Sequence, residues 1–259
     1  MISENKKSYI NAKYQVLTGF QTIGGERYYF ESDGVTLTGE FQNGRYHYYA
    51  ETSGEKAGAL AKNIKIIDGK IYGFHATQYY RLTGWQTLEN ARYYFKDDCS
   101  AATGWFKVDN DWYYADEDGK VRKDVVELSV GEENRNYYFD GNYRMKTGWI
   151  KIGTQWRFFQ VSDKKEECYE LTLEGVTSGW ATLANGKKAY IHSKNGVLNG
   201  FQTIDNVRYY FDSTGIMQSG WFTDGTYWYY ADENGCVLKN IQTIDEKNYY
   251  FDGNYRLTS

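Results

Sequence analysis

Short runs of alternating apolar and polar residues come in pairs along this chain. In "GFQTIDNVRYYF" from Gly200, two five-residue runs flank Asp205-Asn206, a pair that tolerates the positive φ of a tight hairpin turn. Gly24-Gly25 and Asp68-Gly69 hold the same place elsewhere, and a second turn follows at "ESDG", "DEDG", "DSTG" or "DENG". Each unit therefore predicts a hairpin and a connecting loop. Tyr28, Phe30, Tyr93, Phe95, Tyr209 and Phe211 recur at alternate positions, so one face of each second strand is expected to form a shared core.

The units repeat at intervals of about 20 residues, too short for each to bury its own apolar face, so several must stack. Starts fall at Gly19, Gly39, Asn63, Gly84, Gly104, Asp124, Gly148, Gly179, Gly200, Gly220 and Asn240. A higher order is visible as well. After a partial unit over 1–18, residues 19–83, 84–147 and 200–259 each read as three units in the same order, the last truncated. They are a "QT" unit, a "WYYA"-like unit, and a unit ending in "YYFDGNYR" or "YGFHATQYYR". Residues 148–199 hold two units, the first enlarged by "QVSDKKEECYELTLEGV", whose charged stretch Asp163 to Glu167 is expected to be a solvated loop tip.

Composition sharpens this picture. The 259 residues include 8 Trp, 27 Tyr and 13 Phe, more rings than a thin core needs, and rings with polar tips suit both wet sheets and ligand platforms. The absence of proline fits a chain of paired strands turned by Gly, Asn and Asp. A net charge of -4 without a long basic stretch argues against nucleic acid or an anionic membrane as partner. No apolar run is long enough to span a membrane, and no signal peptide is recognisable. The polar start enters mid-repeat, so the chain is expected to be part of a longer protein.

These motifs, GW or GF, then YYF or WYYA, then D-x-x-G, resemble the cell-wall-binding repeat superfamily along essentially the whole chain. That superfamily includes the choline-binding repeats of bacterial surface proteins and lytic enzymes, the glucan-binding repeats attached to glucansucrases, and the C-terminal repeats of large clostridial toxins. The resemblance implies an all-β fold, a β-solenoid of stacked ~20-residue β-hairpin repeats, with ligand sites where consecutive hairpins meet. It implies a non-catalytic module that binds a glycan or a choline-bearing cell-surface polymer, secreted or held at the bacterial surface. A receptor-binding arm of the toxin type is the alternative.

Comparison of equivalent units nominates the binding residues. Trp105 and Trp112, and Trp221 and Trp228, occupy two positions where the first block carries Glu40 and His47. The tryptophans are lost as a pair. A glutamate would be costly at a buried, unpaired site, so the positions are expected to be exposed and to form platforms for a ligand. Trp149 and Trp156 are a third pair, and Tyr138 and Tyr250 of the third units complete the candidate set. Trp85 and Trp180, each alone in its unit, are expected to pack. Arg27, Arg92 and Arg208, with Lys188 in a related unit, take the place of Trp112. Either a ring face or solvent can receive them.

Nothing in the sequence nominates a catalyst. His47, His75 and His192 lie in unrelated units without a nucleophile motif, and Cys99, Cys168 and Cys236 have no metal-ligand spacing. Neither cofactor nor metal is expected, and the chain is expected to be an elongated monomer.

Overall fold

A computed structural model of the chain describes residues 7–172 and 174–258; the first six residues of the partial unit lie outside it. The fold is all-β. Among the described residues eleven antiparallel hairpins begin at the eleven unit starts, and the only helix is one 3-10 turn, Lys165–Glu167. Two compact units divide the chain: residues 1–123 with 141–144, and residues 124–140 with 145–259.

Local sequence sets each hairpin. In strands Gly200–Ile204 and Val207–Phe211 the register ends at Ile204 opposite Val207, leaving Asp205 and Asn206 as a two-residue turn with φ of 49° and 65°. This is the geometry that matches the right-handed twist of the flanking strands. The first residue of every hairpin also has positive φ, which confines it to Gly, Asn or Asp here.

The hairpins are joined by rings. In the first unit, the aromatic residue after the hairpin start lies against the first tyrosine of the pair in the next hairpin: Phe20 on Tyr48 at 5.2 Å and Trp85 on Tyr113 at 4.8 Å between centroids. In the second unit the same contact joins Trp180 to Tyr209 at 5.0 Å, Phe201 to Tyr229 at 4.8 Å and Trp221 to Tyr249 at 4.8 Å. The same face of each second strand carries its phenylalanine two residues on, and it is buried, with Phe30, Phe95, Phe211 and Phe251 at most 1% exposed. Each hairpin therefore completes its core only with its neighbour.

Connecting segments return to pair with the strand just left, as in Phe95 with Ala101 and Ala115 with Val121. They also reach back one hairpin further. The backbone N–H groups of Leu60, Val121 and Val237 donate to the carbonyls of Arg27, Arg92 and Arg208 at 2.7, 2.8 and 2.8 Å. In the enlarged unit, the charged stretch forms the 3-10 turn with a Lys164–Glu167 ion pair of 2.9 Å. Beneath it Cys168 is 1% exposed, and burial pushes its thiol up.

Candidate functional site

In the hairpin of strands Gly84–Leu88 and Ala91–Phe95, Trp85, Thr87 and Arg92 share one face because alternate residues of paired strands do. Nη1 of Arg92 donates to Oγ1 of Thr87 at 3.1 Å, and its guanidinium lies 5.1 Å from the centre of the Trp85 ring. Backbone and side chain are thus both held. Tyr113 of the next hairpin forms a second wall, and the loop Gly141–Arg144 closes the end. The enclosed cleft is about 510 Å³. The Nε of Arg144 meets the Asp111 carboxylate at 3.2 Å, fastening the loop to the strand beside the cleft.

The arrangement recurs. In strands Gly19–Ile23 and Glu26–Phe30, Nη1 of Arg27 donates to Oγ1 of Thr22 at 2.9 Å and the guanidinium lies 5.6 Å from the Phe20 ring. A cleft of about 350 Å³ is bounded by Phe20, Arg27, Tyr46, Tyr48 and the loop from Thr77 to Tyr80. Here the loop is fastened by Tyr80 stacked on Tyr46 at 4.5 Å. In the second unit, Arg208 donates to Thr203 at 3.3 Å and lies 5.1 Å from the Phe201 ring, with Tyr229 beyond. Arg256 lies 4.2 Å over Tyr227, which fastens that loop. Tyr229 is buried and donates to Oδ2 of Asp224 at 2.7 Å; burial and that bond push its hydroxyl up to about 12, so it remains a neutral donor. An ion pair, a ring stack and a cation on a ring thus perform one task at three equivalent places.

The nominated tryptophans lie elsewhere. Trp105 and Trp112 are half-buried on one face of strands Gly104–Val108 and Asp111–Ala115. Trp105 meets Tyr114 edge-on at 5.5 Å, and Lys107 lies 5.8 Å over Trp112. Trp221 and Trp228 share a face in the same way and are 37% and 54% exposed. Trp221 also rests on Tyr249 and Phe251 of the next hairpin. Trp149 and Trp156 border a cleft of about 460 Å³ with Asn195, Asn199, Ser213 and Thr214. Tyr138 is half-buried 5.8 Å from Phe159, and Tyr250 is 52% exposed beside Ile241.

Glu40 has a partner that the sequence comparison did not reveal. It is exposed, as expected, and forms an ion pair with Arg81, whose side chain is 9% exposed. The Arg81 guanidinium lies 4.0 Å over Tyr72 and 5.9 Å over Phe74. Those two rings are the counterparts of Tyr249 and Phe251, on which Trp221 rests. A guanidinium thus covers in one block the surface that an indole covers in another. Trp85 does pack, but it also borders a cleft. Arg27, Arg92 and Arg208 take the ring face. The signal for them was in the sequence: threonine and arginine five residues apart across a tight turn, three times over.

Three stretches, residues 17–59, 82–123 and 198–241, match the choline-binding repeat and together make up about half of the chain. The chain belongs to the cell-wall-binding repeat superfamily. Each stretch of choline-binding repeat spans the first two hairpins of a three-hairpin block, the pair that supplies the walls of a cleft. The chain is similar to Glucosyltransferase-S of Streptococcus mutans, 33% identical over 39% of this chain and 7% of that protein. It is also similar to Glucosyltransferase-I of Streptococcus downei, 28% identical over 84% of this chain and 13% of that protein. The repeats therefore correspond to a small part of these relatives. Among solved structures, CbpJ from Streptococcus pneumoniae aligns over 100% of this chain and 99% of its own, with 22% identity and a TM-score of 0.47.

Proposed function

We propose that this chain is a non-catalytic module, within a longer secreted or surface-bound bacterial protein, that binds a repeating cell-surface glycan. The hairpins of each unit stack as turns of a β-solenoid, and each three-hairpin block offers one cleft. The observation that carries this reading is the arginine on the ring face in both clefts and at the equivalent place of the last block. A quaternary ammonium is held by occupying that face itself. With a guanidinium already there, the clefts suit hydroxyl-bearing ligands, which Arg, Thr and Tyr can bond. The glucosyl chemistry in the names of its relatives supports the same reading. Serial weak sites would add by avidity on a long polymer.

Choline has one supporting observation. Trp221 and Trp228 are exposed on one face next to Tyr249, and among the described residues no cation lies over either indole. A glycan array run beside a choline resin tests both readings. Retention on glycan that survives Trp221→Ala and Trp228→Ala but weakens on Arg92→Ala supports the clefts. Retention only on choline resin, lost on the tryptophan changes, would replace the glycan reading.

A further inference from the structure

Among the described residues, the five arginines without a carboxylate partner gather at the two clefts and at the equivalent place of the last block. Of the chain's ten arginines, Arg81, Arg122, Arg135, Arg144 and Arg157 form ion pairs. Among the described residues Arg27, Arg45, Arg92, Arg208 and Arg256 have no carboxylate within ion-pair distance. Arg92 and Arg27 border the two clefts and Arg208 holds the same place in the last block; Arg45 lies 4.9 Å over Tyr46 of the Arg27 cleft, and Arg256 lies 4.2 Å over Tyr227 in the hairpin after that of Arg208. Carboxylates outnumber cations in this chain, 34 to 30, so the lack of an ion pair at these five arginines does not follow from composition.

We propose that the clefts take an acidic sugar, with a carboxylate or phosphate group meeting Arg27, Arg92 or Arg208. This rests on the glycan reading above and names the class of glycan. Each of the three guanidiniums donates to a threonine through Nη1 alone. The remaining N–H groups of each planar guanidinium lie beside the ring, with the guanidinium carbon 5.6, 5.1 and 5.1 Å from its centre. That fork matches two oxygens of a carboxylate or phosphate. A half-buried cation without a counter-charge is also a liability in the unliganded protein, and an anionic ligand relieves it. A neutral glucan would leave the three charges uncompensated.

The test compares dextran, carboxymethyl dextran and dextran phosphate of equal length on the full chain, by calorimetry at low and high salt. The expected result is binding of an acidic polymer at least about tenfold tighter than dextran at low salt, with the advantage shrinking at high salt. The preferred derivative identifies the acidic group. The triple variant Arg27→Gln, Arg92→Gln, Arg208→Gln should fall to the dextran level. Arg122→Gln, outside the clefts, should not. Should the triple variant unfold, Arg92→Lys alone keeps the charge, loses the fork, and should weaken acidic binding while sparing dextran. If dextran binds as well as its derivatives, or if the folded triple variant keeps the full advantage, the acidic assignment is overturned and the glycan reading stands. If none of the three polymers binds, both fall.

Discussion

Gly73 stands where Tyr29, Tyr94 and Tyr210 stand in other hairpins, and the cause is a neighbour. A Cβ at Gly73 would meet two ring carbons of Phe95 at 2.4 and 2.6 Å and Leu88 at 3.0 Å. Phe95 is 1% exposed and has no room to retreat. Gly73→Ala is therefore expected to destabilise the protein by about 1–3 kcal/mol through overpacking, read as a lowered thermal midpoint. An unchanged midpoint would mean that the Phe95 ring can shift. At this scale the sequence was readable wherever one hairpin could be laid over another. Comparing equal-length units exposed Glu40 and His47 as a linked departure from tryptophan. It could not expose Arg81, because the partner lies 41 residues away in a connecting segment. Nor could it decide whether Arg92 faces water or a ring, which depends on Thr87 and on a backbone bond from Val121.

Between hairpins the exchange of indole for guanidinium makes a sharper demand than a comparison of single positions suggests. Arg81 stands opposite Phe74; Leu257 stands opposite Phe251 in the equivalent place. The double change Trp221→Glu with Trp228→His strips the cover from Tyr249 and Phe251 without supplying a replacement. Its expected cost is on the order of 2 kcal/mol, below the ~3–5 kcal/mol of a fully buried aromatic because Trp221 is partly exposed. Adding Leu257→Arg should recover most of that loss, since the new guanidinium can pair with the glutamate and cover the two rings. Thermal midpoints of the three proteins decide this. If the double variant is as stable as the parent, Trp221 contributes nothing to packing and is free to act as a platform alone. Strand starts and two-residue turns were legible from alternation and from Gly, Asn and Asp. The fastening of each loop was not, because Asp111, Tyr46 and Tyr227 do it by three different chemistries.

For the whole molecule, stability is expected to be local. Cores are completed between neighbouring hairpins, and the chain divides into two compact units. Phe95→Ala should cost about 3–5 kcal/mol where it acts. Amide exchange should quicken in the hairpins from Asn63 to Ala115, while protection in those from Gly200 to Phe251 holds. Uniform loss of protection across both units would instead indicate one cooperative domain. The clefts carry a further consequence for how such a chain can grow in a genome. The residues of one cleft run from Trp85 to Arg144, those of another from Phe20 to Tyr80, and the Glu40–Arg81 pair lies inside that same span. A duplication copying a single hairpin would deliver half a cleft and separate partners that compensate one another. One that copies three hairpins delivers the whole cleft with its fastening intact. A duplication that keeps a cleft whole must therefore be three hairpins long.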